Sequence, residues 1–425
     1  MKVTNTYAYG IFTYVNLAAI AYTNALPLTK TSSNTDNAAP FAARIKGAGG
    51  GIPVVESGDC RLFDPEEEGK LQGTGQLFDR IHNRHAYQLP VSVSSNVDNA
   101  FAVTNVDAVE LEDAQHWLEH LDSDLKTGSR TDPPLNFAKP QQPVTATVLG
   151  QARIIGEDAP GDIRHIVMKL PPGFHYVEGQ SLSVIPPGVD SKTGKKHKPR
   201  LYSIASTRYG DLLDGNTVSL CVRRAEYYNP VTNLKDETKK GVCSNFLCDA
   251  EAGDQVQVAG PVGKTMRLPH DCNTDVIMVA TGTGIAPFRG FLHRLFMEKT
   301  VAGHMFDATA WLILGVPVTS GLLYPEEINV MERNAQGKLK VDYAISREMK
   351  NAAGGKYYVQ DVICENADEV FRRLDDGAHM FFCGLKGMMP GILEALEQVA
   401  KDRGIVWEDK LKELKANGQW HVEVY

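Results

Sequence analysis

The fold of this chain is decided by the stretch Val276-Ile277-Met278-Val279-Ala280-Thr281-Gly282-Thr283-Gly284-Ile285-Ala286-Pro287. Its apolar beginning predicts a buried strand, the two glycines predict a tight turn, and Pro287 favours the first turn of a helix. Backbone N–H groups at such a turn are suited to bind phosphate. Because Pro287 stands where G-x-G-x-x-G has its third glycine, the motif alone is a weak nucleotide-binding pattern.

The sequence on either side of this stretch follows two different patterns. Downstream, buried-type strands at 310–314, 340–345 and 380–383 alternate with helical stretches at 287–298, 366–374 and 390–401. This alternation predicts an α/β doubly wound parallel sheet. Upstream, short strands broken by Gly, Pro and Asp predict a small antiparallel β-barrel. These strands lie at 145–149, 163–170, 181–185, 200–203, 217–223 and 255–259.

The composition is that of a globular protein of two or three domains. The chain has 425 residues, of which 43% are hydrophobic and 23% charged, and its net charge is −8. This charge argues against a nucleic-acid binder, which would carry a basic surface. The seven cysteines are scattered without a C-x-x-C pair. We therefore expect reduced thiols and neither a zinc site nor a disulfide framework.

The first 143 residues show neither pattern. Residues 1–55 carry an apolar stretch followed by a segment rich in Ser, Thr and Ala, which predicts a targeting leader of signal and transit type. A buried strand or helix is the alternative for the apolar stretch. Residues 56–143 predict an extension with an amphipathic helix at 107–125 and a Pro-rich linker at 126–143. The extension is either a processed, poorly ordered segment or a module that tethers the protein to a membrane or partner.

Four motifs, taken in order, resemble the plant-type ferredoxin–NADP⁺ reductase family. They are Arg200-Leu201-Tyr202-Ser203, Gly241-Val242-Cys243-Ser244, Thr281-Gly282-Thr283-Gly284 and the final Trp420-His421-Val422-Glu423-Val424-Tyr425. The resemblance covers about residues 144–425 and implies an FAD-binding barrel domain at 144–272, followed by an NADP(H)-binding domain at 273–425. Several segments are closer to the root-type than to the leaf-type branch, which leaves the physiological direction of electron flow open.

The resemblance implies a set of flavin-binding residues. They are Arg200, Leu201, Tyr202, Ser203, Cys221, Val222, Arg223, Tyr227, Gly241, Val242, Cys243, Ser244, Thr283 and Tyr425. By the same resemblance Tyr202 and Tyr425 cover the two faces of the flavin ring. Ser244 and Cys383 are expected near its reactive N5 edge, with Glu423 hydrogen-bonded to Ser244. The implied catalytic residues are thus Ser244, Cys383, Glu423 and Tyr425.

The family positions for NADP(H) are also filled. They are Thr283, Gly315, Val316, Pro317, Ser346, Arg347, Lys356, Tyr358, Gly384, Leu385 and Glu423. NAD enzymes place an acid on the ribose 2′-hydroxyl, whereas a 2′-phosphate requires cationic groups. Arg347 and Lys356 therefore favour NADP over NAD. A solvated basic loop is the alternative explanation for these residues.

A basic segment in this acidic chain predicts a partner surface. It contains Lys192, Lys195, Lys196, His197, Lys198 and Arg200. Such a rim would steer an acidic one-electron carrier towards the site. The family implies ferredoxin, with flavodoxin as a substitute. Two reduced ferredoxins would each deliver one electron to FAD, which passes a hydride to NADP⁺, while Tyr425 moves aside as a gate.

The family and the leader together imply a plastid enzyme, with peripheral thylakoid association and a complex-plastid alga as finer expectations. Two alternatives are a diflavin reductase and a tethering protein with a residual reductase fold. The first needs an FMN domain, for which residues 1–143 show no strand–helix alternation. The second conflicts with the complete set of expected flavin and NADP residues.

Overall fold

The computed structural model describes residues 134–190, 193–212, 214–232, 234–298 and 306–425. The predictions for the leader at 1–55, the helix at 107–125, Cys60 and Lys192 lie outside these residues.

The first half of the described chain forms an antiparallel barrel. Its six strands are β1 Val144–Arg153, β2 Ile163–Lys169, β3 Ser181–Ile185, β4 Arg200–Ser203, β5 Thr217–Arg223 and β6 Gln255–Val262. They pair in the order β4-β3-β6-β1-β2-β5. The core includes Ile166, Leu182, Leu220 and Val258, all fully buried. Helix α1, Val242–Asp249, contributes Leu247 to the same core. The predicted barrel is confirmed.

The second half forms a five-stranded sheet with the order β11-β10-β7-β8-β9, in which every pair is parallel. Its strands are β7 Val276–Thr281, β8 Ala310–Val316, β9 Leu339–Ile345, β10 His379–Gly384 and β11 Trp420–Val424. Its helices are α2 Ile285–Phe296, α3 Pro325–Asn334, α4 Val359–Glu365, α5 Ala367–Asp375, α6 Met388–Asp402 and α7 Trp407–Ala416.

Both faces of this parallel sheet are covered. On β7, Met278 packs with residues of α2 such as Phe288 in one core cluster. The neighbouring Ile277 packs with residues of α4 and α6, such as Val362 and Ile392, in another cluster. A strand that is buried on both faces explains the continuous apolar run of 276–280. The predicted doubly wound sheet is confirmed.

The start of the described chain is attached to the barrel. The Asn136 N–H donates to the carbonyl of Pro261 at 2.9 Å, and the Gln180 side chain donates to the carbonyl of Pro134 at 2.8 Å. Phe137 also packs on Phe174, with ring centroids 5.2 Å apart. Residues 134–143, predicted as the end of a linker, therefore lie on the barrel surface. The domain boundaries themselves stay predictions.

A cluster of buried charged side chains, the interdomain charge cluster, joins barrel and sheet. Arg289 on α2 binds Asp211 of the barrel at 2.8 Å and Glu327 on α3 at 2.7 Å. His165 lies 2.8 Å from Asp211, and His293 lies 2.8 Å from Glu327. Burial opposes ionisation of the two carboxyls, but Arg289 and the neighbouring histidines together outweigh it and hold the pKa of each carboxyl well below its usual value. Helix α2, which begins at the glycine-rich turn, is thereby fixed against the barrel.

Three further findings concern the described residues as a group. Among their helices, none is long and apolar enough to cross a membrane. Across the same part of the chain, no group of three or more His, Cys, Asp or Glu residues is arranged to hold a metal ion. Cys221, Cys243, Cys248, Cys272, Cys364 and Cys383 are all free thiols, as expected.

Candidate functional site

The predicted residues around the flavin ring gather where the carboxyl ends of β7, β10 and β11 meet the barrel. In the sheet, Cys383 is in register with Ala280 on one side and with Glu423 on the other. In the barrel, Ser181 on β3 is in register with Ser203 on β4. Side chains from the two pairs are hydrogen-bonded across the junction, Ser181 to Glu423 and Ser203 to Cys383. Ligands of parallel sheets bind at this edge.

Two glycines allow the backbones to touch at the junction. A Cβ atom on Gly284 would lie 2.0 Å from the carbonyl oxygen of Cys383. Gly384 has φ +141°, and a Cβ atom there would lie 2.3 Å from the hydroxyl of Thr281. Only glycine fits either place. The glycine-rich turn is therefore packed directly against the end of β10.

The last residue of the sequence is tied down rather than frayed. The Tyr425 N–H donates to the carbonyl of Gly384 at 3.0 Å, and the Lys386 N–H donates to the carbonyl of Tyr425 at 2.8 Å. The hydroxyl oxygens of Tyr425 and Thr283 lie 2.5 Å apart. The Tyr425 side chain is nevertheless 58% exposed. An ordered aromatic ring thus stands at the open side of the junction, over the glycine-rich turn.

The partner of Glu423 differs from the prediction. The Ser181 hydroxyl donates to Glu423 Oε1 at 2.7 Å. The Ser244 hydroxyl, which was expected to bind Glu423, instead accepts the N–H of Ala225 at 3.1 Å. The predicted Ser244–Glu423 hydrogen bond is therefore wrong, because β11 meets the barrel at β3 rather than at α1. Burial raises the pKa of Glu423, with the Ser181 hydrogen bond opposing the shift.

Cys383 lies beside Ser203 at the same junction. It is fully buried, and burial raises the pKa of its thiol to about 12, although a hydrogen bond with the Ser203 side chain acts in the opposite direction. At neutral pH this side chain is a thiol and not a thiolate. Ser203, and not Ser244, is therefore the hydroxyl that accompanies Cys383.

The two strands that carry the other predicted flavin residues differ in exposure, since β4 is partly exposed and β5 is almost fully buried. Burial raises the pKa of the half-buried Tyr202, and its hydroxyl is hydrogen-bonded to the thiol of Cys243. The Arg200 guanidinium donates to the carbonyls of Lys198 and Pro199, at 2.9 and 3.2 Å. On β5, Cys221 and Val222 are 6% and 1% exposed, so of this triplet only Arg223 presents its side chain to solvent.

Helix α1 begins beside the loop that leaves β5. The Gly241 N–H donates to the carbonyl of Ala225 at 2.9 Å, and a Cβ atom on Gly241 would lie 2.6 Å from the Ala225 side chain. Val242 is 46% exposed at this helix start. The Lys239 ammonium lies 4.6 Å from the ring centre of the partly exposed Tyr227. These contacts bring the motif at 241–244 next to the end of β5.

Two loops at the far edge of the sheet, which we call the phosphate loops, contain the predicted nucleotide residues. They are residues 315–321, which include the last two residues of β8 and the turn after it, and residues 346–350 after β9. The Ser346 N–H donates to the carbonyl of Val316 at 3.0 Å, and the Arg347 N–H donates to the carbonyl of Pro317 at 2.9 Å. Gly315 packs against Val359 of α4, so the first loop has little room to shift.

The remaining nucleotide residues follow directly. Lys356 forms a β-bridge with Lys350 at the end of the second phosphate loop. Tyr358 is 43% exposed, and its N–H donates to the Asp361 carboxylate at 2.7 Å to cap α4. Leu385, after β10, is 57% exposed, and its N–H donates to the Thr281 hydroxyl at 3.2 Å.

Some functional groups carry no local sequence pattern. Ser181 lies in the buried strand β3, and the only sequence signal for its contact with Glu423 is the presence of a hydroxyl group in that strand. Asp211, Arg289 and Glu327 are far apart in the sequence, and their pairing follows from the packing of two domains.

The junction offers exposed apolar and aromatic surface around a few polar groups, which suits a flat aromatic cofactor. Leu201 and Val242 are 63% and 46% exposed, and Tyr425 stands opposite the glycine-rich turn. Ser203 and Glu423 supply hydrogen-bonding groups beside Cys383. With a barrel before it and a nucleotide-binding sheet behind it, this site defines an FAD-dependent oxidoreductase that uses NADP(H).

Comparison with known proteins gives the family. Residues 278–394 match the family model described as the oxidoreductase NAD-binding domain. The chain is 55% identical over 303 residues to the embryo isozyme of chloroplastic ferredoxin–NADP reductase from Oryza sativa subsp. japonica, covering 71% of this chain and 80% of that protein. It is 53% identical to the root-type isozyme of Nicotiana tabacum, covering 71% and 81%. It is 50% identical to the Chlamydomonas reinhardtii enzyme, covering 69% and 83%.

A solved structure agrees in fold. The ferredoxin-NADP+ reductase from Plasmodium falciparum superposes with a TM-score of 0.54 at 24% identity, covering 68% of this chain and 99% of that one. The chain belongs to the ferredoxin–NADP reductase family, as its resemblance implied. It is an FAD- and NADP(H)-dependent oxidoreductase of plastids.

Proposed function

We propose that the flavin ring lies between Tyr202 and Tyr425, and that Tyr425 gives up its place to the nicotinamide during turnover. Bound FAD would supply the exchange between single electrons and a hydride. The observation that supports the gate is the hydrogen bond between Tyr425 and Thr283, in which the oxygens are 2.5 Å apart. Tyr425 is 58% exposed, so its ring can give up this bond without unfolding of the strand.

Two pairs of side chains flank the reacting edge of the ring in this proposal. Cys383, paired with Ser203, presents a neutral thiol. Glu423, paired with Ser181, has a pKa that burial raises above its usual value. Ser244 keeps a place among the flavin-binding residues through α1 but is not proposed to act at this edge.

Loss of the Tyr425 side chain tests the gate. In the full-length protein, Tyr425→Ser should allow NADH to reduce a one-electron dye at a rate at least about tenfold above that of the parent protein, because nicotinamide no longer competes with a ring. Tyr425→Phe removes only the hydroxyl and serves as the matched control, with a much smaller gain. An unchanged NADH rate in the serine variant, at full flavin content, would refute the gate.

The 2′-phosphate of NADP(H) is proposed to bind at Ser346, Arg347, Lys356 and Tyr358. The support is that both basic side chains are exposed and that, within the described residues, neither pairs with a carboxylate. The pyrophosphate and ribose would then lie along Gly315, Val316 and Pro317, with Thr283, Gly384 and Leu385 near the nicotinamide half. Titration of the Arg347→Ala variant with 2′,5′-ADP tests this site.

Ferredoxin is proposed to dock on the basic rim, which consists of Lys195, Lys196 and Lys198 together with Lys192 outside the described residues; flavodoxin is the alternative carrier. The three described lysines are exposed and lie directly before Arg200 on β4. A rim of this kind accelerates association with an acidic protein and makes it sensitive to salt.

Charge reversal tests the docking surface. The Lys195→Glu/Lys196→Glu variant should raise the KM for ferredoxin by about tenfold or more at low salt, because like charges now meet. Its NADPH-dependent reduction of a small neutral dye should stay unchanged, which controls for damage to the flavin site. An unchanged KM for both ferredoxin and flavodoxin would move the docking surface elsewhere.

The finer location is also a proposal. The composition of residues 1–55 supports a two-part leader for a complex plastid, and residues 56–143 are proposed as a poorly ordered extension, with thylakoid tethering as the alternative. Fusion of residues 1–55 to a fluorescent protein tests the first point, since retention in the secretory pathway would contradict it. A pull-down with residues 56–143 tests the second, and capture of thylakoid membranes would favour tethering.

A further inference from the structure

An acidic side chain stands inside the proposed 2′-phosphate site. Glu348 follows Arg347 directly and is exposed. A carboxylate close to the ribose 2′-position is the group by which NAD enzymes bind the 2′-hydroxyl. Left free, it would repel a 2′-phosphate or pair with Arg347. Its position therefore conflicts with NADP binding unless the carboxylate is held elsewhere.

The structure shows where the carboxylate is held. The Thr319 N–H donates to Glu348 Oε1 at 2.8 Å, and the Thr319 hydroxyl donates to Glu348 Oε2 at 2.5 Å. Both oxygens of the carboxylate are thus engaged by one neutral residue. Among the described residues no cation forms an ion pair with Glu348, although Arg347 is its neighbour in the sequence.

Thr319 is itself fixed from another direction. It opens the 3₁₀ turn Thr319–Gly321 at the end of the first phosphate loop. The Gly156 N–H of the barrel donates to the carbonyl of Ser320 at 2.7 Å. A Cβ atom on Gly156 would lie 3.0 Å from the Ser320 side chain, so the two backbones are in close contact. The two donors of Thr319 are therefore presented by a segment that the barrel anchors.

We propose that Thr319 is a specificity-determining positioning residue, which holds the Glu348 carboxylate away from the 2′-phosphate and so leaves Arg347 and Lys356 available to NADP(H). This inference rests on the 2′-phosphate site proposed above. It assigns the NADP preference to a sequestered acid as well as to the cations. The pairing with neutral donors matters because a lysine or arginine in place of Thr319 would add a competing charge.

A set of matched variants tests the proposal in the full-length flavoprotein. Glu348→Asp keeps the charge on a side chain too short to reach both donors, and it should raise the KM for NADPH about fivefold with kcat unchanged. Glu348→Gln removes the charge and should leave this KM within about twofold. Thr319→Val removes the hydroxyl that donates to Glu348 and should raise the KM for NADPH about threefold. Thr319→Ser keeps a hydroxyl and should leave this KM at the value of the parent protein. The KM for NADH should not rise in any of them.

Salt and a double variant separate charge from loop structure. The rise in the KM for NADPH caused by Glu348→Asp should become smaller as the ionic strength is raised from about 0.05 to 0.5 M, because salt screens the repulsion between exposed charges. Adding Glu348→Gln to Thr319→Val should restore the KM for NADPH. If Glu348→Asp and Glu348→Gln raise the KM equally, or if neither changes it, the proposal is overturned.

Arg347→Ala distinguishes this failure from failure of the underlying site. A rise of about tenfold or more in the KM for NADPH, with no effect of Glu348→Asp or Thr319→Val, keeps the 2′-phosphate site and removes the role of Thr319. No rise in Arg347→Ala removes the site and the inference together. Flavin content and melting temperature confirm that each variant is folded.

Discussion

The interdomain charge cluster and the phosphate loops both contain acids next to arginines, but they pair them in opposite ways. In the cluster, Arg289 binds two carboxylates, and all three side chains are about 98% buried. In the loops, Glu348 is held by the N–H and hydroxyl of Thr319, while the neighbouring Arg347 pairs with no carboxylate of the described chain.

The difference follows from what each region must bind. A buried guanidinium without a carboxylate partner would destabilise the folded state, and in the cluster Arg289 is accordingly paired with two carboxylates. A cation that serves a ligand must stay available, so the acid beside it is satisfied by neutral donors. The same residue types are thus paired with each other in the cluster, whereas in the loops the acid is bound by neutral donors and the proposed phosphate-binding cation has no carboxylate partner among the described residues.

The largest expected effect comes from breaking the buried pairing. Arg289→Ala leaves Asp211 and Glu327 buried without their cation and should lower the free energy of unfolding by about 3–5 kcal/mol. Urea denaturation of the holoprotein measures it. The matched control is Arg347→Ala in the phosphate loops, which should change stability by less than about 0.5 kcal/mol. Similar losses in both variants would erase the contrast between the two regions.

A smaller effect on stability is expected at Glu298, a second contact between the α2 region and the barrel in which one carboxylate oxygen lacks a hydrogen-bond partner among the described residues. At the end of α2, Glu298 accepts a hydrogen bond from Thr207 of the barrel, and its other carboxylate oxygen has no hydrogen-bond partner in the described structure. Burial raises the pKa of Glu298 to about 7, with the Glu178 carboxylate adding to the shift and Arg294 and Arg208 opposing it.

This raised pKa gives a pH dependence with a defined sign. The folded state favours the protonated acid, so its contribution is present below the unfolded pKa near 4.5 and is lost as pH rises through about 7. Glu298→Gln should therefore gain stability relative to the parent protein by about 1–3 kcal/mol between pH 5 and pH 8. Thermal melts across this range measure it, and a constant difference between the two proteins would contradict the expectation.

The smallest effect should come from an exposed neutral hydrogen bond at the site. Thr283→Val removes the hydroxyl that binds Tyr425 and should cost about 1 kcal/mol of restraint on the ring. NADH-dependent dye reduction should rise about fivefold, less than in Tyr425→Ser, with thermal stability unchanged. A variant that behaves like the parent protein would show that backbone hydrogen bonds alone hold Tyr425.

Most strands were predictable because their ends carry local chemistry. β3, β4 and β5 have the predicted bounds, since Gly, Pro or Asp lies close to most of their ends. β1 runs beyond the predicted stop at Leu149, because a register shift between Val148 and Gly150 lets the strand continue to Arg153. β6 likewise continues through Gly260 and Pro261 to Val262.

Three helices were not predicted. Helix α4 has only seven residues, and its cap is formed by Tyr358 with Asp361 rather than by a usual capping residue. Helix α7 buries only Trp407 and Leu414, too few apolar residues for a periodic pattern. Helix α3 is likewise mostly polar, with Ile328 and Met331 as its buried apolar residues.

In the site, local motifs predict the flavin and nucleotide segments, but the contacts between segments had to come from the structure. Ser244 and Ser181 both supply a hydroxyl near the barrel edge, and only the meeting of β11 with β3 decides which of them binds Glu423. The pairing of Glu348 with Thr319 likewise depends on two loops that are separate in the sequence.

Helix α2 is anchored to the barrel at two points along its length, at Arg289 and at Glu298 just beyond its end. Because these two contacts hold the helix against the barrel, we expect little rotation of the sheet relative to the barrel when nucleotide binds. We therefore expect that nucleotide binding changes the molecule only at the scale of a side chain, and that a crystal of this protein would tolerate soaking with NADP⁺ without cracking.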